Sequence, residues 1–325
     1  MKHQRGRQPL AAMLLLLIFT LLVLPLSLRY GSETLSFHAL YQALNPADDR
    51  YFALMEYRLP RTLLAMLVGA ALAVSGVLVQ GAIRNPLASP EILGVNHAAG
   101  LMSIAGLMLF PALSAAWLPL LAFAGALLAF LLLRLLAGGS APLRLALLGV
   151  ALTAFYASIT DYLMLSRPLE INQALLWLTG SLWGRSWPFV WLALPWLVVL
   201  LPLSLLLCRS LDLLGLGDEQ AATLGVEVPR ARRRILLLAL ALAAVSVAVC
   251  GPLSFIGLVA PHLTRRLVGG RHRWLIPAAM LTGALLLMLA DLLARTLHPP
   301  LELPAGVLTA VIGAPYFFWL LMRTR

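Results

Sequence analysis

Apolar runs long enough to cross a bilayer recur along almost the whole chain, and no other feature limits its fold so strongly. Crossing about 30 Å of hydrocarbon as a helix takes roughly 17–25 residues. Runs of that order lie at 10–28, 59–83, 92–110, 115–136, 143–165, 188–207, 235–252, 275–297 and 303–322. A tenth, at 254–268, is shorter and is interrupted by Pro261 and His262. With 61% hydrophobic and 11% charged residues, the chain is too apolar for a water-soluble core, because soluble domains are nearer a quarter charged. The expectation is an all-α polytopic membrane protein of about ten transmembrane helices, organised as one transmembrane domain over residues 1–325.

Charge placement supports an even number of crossings. Lys2, Arg5 and Arg7 precede the first run like the start of a secretory signal, but no small-x-small cleavage site follows, so the run reads as a retained span. With that end cytoplasmic, 17 of the 24 basic residues fall in inner segments. Arg29, Arg50, Arg58, Arg61, Arg167, Arg185 and Arg295 are left outside. This is the bias that orients membrane proteins, and it puts both termini in the cytoplasm. The net charge of +11 therefore belongs to short loops beside anionic headgroups, not to a nucleic-acid-binding stripe. Trp177, Trp183, Trp187, Trp191 and Trp196 crowd the segment between the fifth and sixth runs, as interfacial aromatics do.

Several chemistries are excluded or weak. Lys2 is the chain's one lysine, so no nucleotide-binding P-loop is present and any ATP hydrolysis must come from another chain. Cys208 and Cys250 read as inert buried thiols, with no ligand cluster for a metal, and no cofactor is expected. A serine hydrolase built from Ser75 or Ser103 with His97 or His262 lacks a nucleophile-elbow pattern. A proton relay through Asp161, Asp291 and Glu302 would make the chain a secondary transporter. Asp291 lies four residues before Arg295, however, and can pair with it on one helix face, which would hold the acid ionised.

Three regions could carry function. Gly217-Asp218-Glu219-Gln220-Ala221-Ala222-Thr223-Leu224-Gly225 reads as a short helix with acids in its first turn, Gly225 at its end and Pro229 preventing continuation. It is either a docking helix for another protein or an amphipathic connector. The outward Arg58, Arg61 and Arg295 run against the orientation bias and offer rigid forks for carboxylates, or else snorkel to headgroups. Two inner segments, Arg84-Asn85-Pro86-Leu87 through Pro90 and Gly251-Pro252 through Pro261-His262, break the helical pattern. Irregular backbone at membrane depth persists only where protein or a water-filled cavity covers it, so both are either gate elements or plain proline loops. Asp161 has no evident helical partner and lines a wet path or sits near the outer interface.

The runs Arg58-Leu59-Pro60-Arg61, Asn85-Pro86-Leu87-Ala88, Ile92-Leu93-Gly94-Val95, Phe255-Ile256-Gly257-Leu258-Val259-Ala260-Pro261-His262 and Glu302-Leu303-Pro304-Ala305-Gly306 resemble the FecCD/BtuC-type permeases. These are membrane subunits of ABC importers for ferric siderophores, haem and cobalamin. Met55-Glu56-Tyr57 and Val95-Asn96-His97-Ala98-Ala99 look most like the family's ferric dicitrate branch. The resemblance implies a BtuC-like type II importer permease in the bacterial inner membrane, carrying a ferric chelate such as iron dicitrate or a siderophore. Its partners would be a second permease that is a different chain, two ATP-binding subunits and a periplasmic substrate-binding protein. It also implies that Arg58, Arg61 and Arg295 receive glutamates of the binding protein, that Gly217–Gly225 sits on the ATPase, and that Asn85–Leu87 belongs to the cytoplasmic gate.

Overall fold

The computed structural model describes residues 4–31, 34–110, 113, 117–137, 142–166, 175, 177–299 and 301–323. Lys2, Arg167 and Arg325, which entered the charge count, lie outside the described residues. Among those described, the chain is helical throughout, in the order α1 (Gln4–Arg29), α2 (Phe37–Gln42), α3 (Leu59–Ile83), α4 (Val95–Leu109), α5 (Leu118–Ala137), α6 (Pro142–Ser166), α7 (Trp187–Leu206), α8 (Cys208–Leu214), α9 (Asp218–Thr223), α10 (Val228–Cys250), α11 (Ile256–Val268), α12 (His272–Thr296) and α13 (Ala305–Arg323). A π-helical turn, Phe52–Arg58, runs without a break into α3. Seven of the described helices are long and apolar enough to cross a membrane. With the shorter α4, α11 and α13, they account for the ten expected crossings.

The core is assembled around α3, which is buried along nearly its whole length against α10, α11 and α12. Lipid supplies no hydrophobic drive for helices to associate, so close packing of small side chains must do it. Gly69 of α3 faces Gly283 of α12, and a methyl group on either would overlap the other's carbonyl. Gly76 faces the Gly257 carbonyl of α11 in the same way. That carbonyl is the one left unbonded because Pro261, four residues on, has no N–H. Pro261 and His262 therefore stay inside α11 instead of breaking it, which corrects the sequence reading; the irregular stretch ends at Phe255. In contrast, α1 and α7 turn rows of leucines and other large apolar side chains outward.

The short crossings are explained by two segments that fold back into the membrane. From the end of α10 the chain runs through Gly251–Phe255, opening at Gly251 with φ +74° and ending at Phe255 with φ +69°. These non-helical residues lead into α11, whose 13 residues add about 20 Å. Together they cross. On the other side, Arg84 ends α3 in the left-handed region at φ 57°, and the chain climbs back until Pro90 lies against Gly257 and Leu72. As a result α4, at 15 residues, begins at depth and needs only about 22 Å to reach the outer side.

Candidate functional site

At the outer end of α3 the structure gathers the three arginines singled out from the sequence, but turns them inward. Arg58, Arg61 and Arg295 are 6%, 1% and 2% exposed. Arg58 Nη1 donates to the carbonyls of Leu28 and Arg29, each at 2.9 Å, which satisfies two of the orphan acceptors at the end of α1. Arg61 Nε and Nη2 both reach Asp291 Oδ1 at 2.9 Å. Its Nη1 donates to Glu302 Oε2 at 2.6 Å and to the Tyr57 hydroxyl at 3.2 Å. Arg295 Nη2 donates to the Ser27 carbonyl and hydroxyl at 2.9 and 2.6 Å.

The expected helical pair of Asp291 with Arg295 is present, but it is the weaker contact. The charges lie 3.3 Å apart, while Asp291 Oδ2 and Arg295 Nε make no hydrogen bond, so they attract without being aligned. The principal partner of Asp291 is Arg61, 230 residues away. These arginines are not free surface forks in this state, which corrects the sequence expectation; helix periodicity could not reveal that carboxylates from α12 and the α12–α13 connection converge on Arg61. Glu302, with 15% of its side chain exposed, and the partly exposed Tyr57 bring the cluster near the surface.

At the inner end, Asn85 Oδ1 accepts from the Leu87 N–H at 2.9 Å, a side-chain turn that sets Pro86 at the tip. Asn85 and Pro86 are exposed and Leu87 is half-buried. This turn is tied to the other refolded segment by Glu91, whose Oε1 accepts from the Phe255 N–H at 3.0 Å. The two predicted gate segments therefore meet. Gly251, however, lies against Trp177 and Gly180 of the outward-assigned segment, so Gly251–Phe255 enters from that end, which corrects its placement on the inner side. Glu91 was missed by sequence reasoning, although an acid directly before an apolar run was a visible signal.

Beside the turn lies the predicted coupling helix, observed as α9 over Asp218–Thr223. Gly217 and Gly225 bracket it with φ +116° and +84°, and the Val226 N–H bonds back to the Ala221 carbonyl at 2.9 Å, the C-terminal closure expected of a left-handed glycine. Pro229 lies in the first turn of α10, so it starts the next helix rather than ending this one. Glu219, Ala222, Leu224 and Gly225 are exposed, whereas Ala221 is buried. Asp218, with 39% of its side chain exposed, is engaged on its inner side: its carboxylate accepts from Arg232 Nη2 at 2.9 and 3.1 Å and lies 3.3 Å from Arg84 Nη2. Arg232 is buried, and its Nε donates to the Ala82 carbonyl at 3.0 Å. In the preceding α8, Asp212 Oδ1 accepts from the His272 backbone N–H at 3.0 Å and lies 2.6 Å from its Nδ1.

Asp161 is exposed on α6 and has no hydrogen-bond or ion-pair partner among the described residues. It shares an outward face with Leu147, Ala151, Ala154, Ser158 and Leu165. The remaining candidates fall into ordinary roles. Ser75 and Ser103 donate to the carbonyls of Ala239 and Ala99, so each hydroxyl is held by backbone and not by a histidine. His262 packs edge-on against Tyr316 with centroids 5.8 Å apart. Cys250 is buried, and burial pushes the Cys208 thiol above its usual range, which suits an unreactive group. No group of three or more metal-ligating side chains occurs among the described residues. Of the tryptophans, Trp183, Trp191 and Trp196 are exposed as interfacial residues should be, but Trp177 is buried in the core.

Comparison with known proteins agrees with this geometry. The profile of the FecCD transport family matches residues 16–323. The Fe(3+) dicitrate transport system permease protein FecD of Escherichia coli (strain K12) is 61% identical over 92% of this chain and 94% of its own. The Fe(3+)-citrate import system permease protein YfmE of Bacillus subtilis (strain 168) is 44% identical over 98% of this chain and 96% of its own. The hemin transport system permease protein HmuU of Yersinia pestis is 42% identical over 98% of each chain. Among solved structures, an inward-facing metal-chelate-type ABC transporter superposes with a TM-score of 0.87 and 30% identity, covering 96% of this chain and 98% of that one.

Proposed function

The chain belongs to the FecCD transport family, and from that premise we propose that it is the membrane-spanning permease of an ABC importer for a ferric chelate. The observation that carries the reading is a ten-crossing permease fold over nearly the whole chain, matched to a metal-chelate transporter. Ferric dicitrate is the favoured cargo, since the relative at 61% identity is named for it. Siderophores and haem are the nearest alternatives. The permease sits in the bacterial inner membrane as a single domain with both termini cytoplasmic, and performs no covalent chemistry.

The importer is completed by a second permease, two ATP-binding subunits and a periplasmic binding protein. An exposed aspartate facing lipid would be costly, so the α6 face with Asp161 is assigned to the water-filled path between the two permeases. The exposed side of Gly217–Gly225, with Glu219, Ala222 and Leu224, seats the ATPase. Docking of the binding protein involves the cluster of Arg58, Arg61 and Arg295. Because Glu302 already occupies Arg61, a docking carboxylate competes with it at the outer surface. Asn85, Pro86 and Leu87 form the inner gate, held against the Gly251–Phe255 segment by Glu91.

A proton-coupled secondary transporter fits less well. Asp291 and Glu302 share one guanidinium, so both are already engaged in ion pairs, and Asp161 has no bond to either among the described residues. Depleting ATP without collapsing the proton gradient separates the two: the ABC reading requires uptake to stop, and continued uptake would overturn it.

A further inference from the structure

The proposed coupling helix is too short to move the permease by itself. Six residues are far below the length at which a helix holds its shape without tertiary support. Whatever pushes on its exposed side must act through the contacts on its other side. Apart from Ala221, which is buried in the apolar core, those contacts converge on one carboxylate. Asp218 accepts from Arg232 and pairs with Arg84, and both arginines belong mechanically to the inner end of α3. Arg84 is the residue that ends α3, one position before the Asn85–Pro86–Leu87 turn. Arg232 is bonded to α3 through the Ala82 carbonyl and is 8% exposed.

From that fastening, α3 runs as an unbroken helix to the outer arginine cluster. Its 25 residues span about 37 Å, and glycine-on-glycine contacts lock it to α12 and backbone-close contacts lock it to α11. No other described link joins α9 to the end of α3 through a charged side chain. A rigid element held at both ends is what long-range coupling physically requires.

We infer that Asp218 is a positioning residue for transport: it transmits movement of the ATPase-bearing helix to the inner end of α3 and the adjoining gate turn, and does not itself contact the ATPase. This rests on the proposed role of Gly217–Gly225. The two can be separated in the complete importer, reconstituted in vesicles with its ATPase subunits and binding protein and supplied with ferric dicitrate and ATP.

Asp218→Asn removes the charge while keeping the shape. The ATPase is expected to stay attached and to hydrolyse ATP, while chelate delivered per ATP falls about fivefold or more, the usual scale of a coupling interaction. Arg84→Gln, at a side chain that is 36% exposed and so tolerant of change, should show a smaller loss of the same kind. Glu227→Gln, which removes a charge from an exposed pair on the same membrane face, should leave the ratio unchanged. An unchanged ratio in Asp218→Asn overturns the inference, and so does loss of the ATPase from that variant, which would make Asp218 a docking contact. Ala222→Arg tests the underlying reading alone: if it leaves the ATPase bound and stimulated, α9 is not the coupling helix.

Discussion

Replacing Asp291 by asparagine should be among the most damaging single changes in the chain. The carboxylate is fully buried, accepts from Arg61 Nε at 2.9 Å with Arg61 Nη2 at the same distance, and lies 3.3 Å from Arg295. Breaking a buried pair leaves uncompensated charge in a low dielectric and costs about 3–5 kcal/mol, a large share of the roughly 5–15 kcal/mol that separates folded from unfolded states. At roughly 2–4 °C per kcal/mol, the scale for larger domains, the midpoint of thermal unfolding in detergent should fall by roughly 6–20 °C. Glu302→Gln is the internal comparison, since the partner is partly hydrated and Arg61 keeps Asp291. Its shift should be under half as large. Asp291→Leu combined with Arg61→Met should recover part of the loss, because well-packed apolar groups can replace a buried pair. A midpoint within 2 °C or so of wild type in Asp291→Asn, on the same scale, would refute the claim that this network is a structural keystone.

Other perturbations separate the remaining roles. Glu302→Gln should tighten association of the binding protein by several-fold in a surface-binding assay, because it removes the internal competitor for Arg61; weaker binding would contradict the competition. Gly76→Val should prevent accumulation of folded permease in the membrane, since its side chain would overlap the Gly257 carbonyl, and normal yield would show that α3 and α11 do not pack there. Glu91→Gln keeps an acceptor for the Phe255 N–H and should be tolerated, whereas Glu91→Ala should destabilise the inner gate by about 1–3 kcal/mol, read as faster proteolysis of the Gly251–Phe255 segment. Equal behaviour of the two variants would remove the latch. Asp161→Leu should leave assembly intact and lower transport; loss of the second permease instead would place Asp161 in a subunit contact.

Much of the fold was legible because membrane crossing imposes a length and a hydropathy that sequence displays directly. The ten crossings, the two refolded segments and the closure of α9 by Gly225 all follow from local rules. What escaped depends on partners distant in sequence. Arg58, Arg61 and Arg295 sit at helix ends, where periodicity predicts exposure; only the packing of α1, α3 and α12 shows that they close helix ends and neutralise Asp291. Pro261 looks like a breaker, yet the carbonyl it frees is accommodated at Gly76 on another helix. Asp218 resembled its neighbour Glu219 as a first-turn acid, and only Arg84 and Arg232 distinguish the inward one from the outward one. Glu91 stood out as an acid before an apolar run, but its role was hidden for the same reason, its partner being a backbone N–H 164 residues away.

The account depends most on the claim that this permease has no motor of its own. Vesicles containing the chain with its partner permease, with binding protein loaded with ferric dicitrate outside, should accumulate iron only when the ATP-binding subunits and ATP are present on the other face. Uphill accumulation by the permeases alone, driven by a proton gradient or by nothing added, would contradict it.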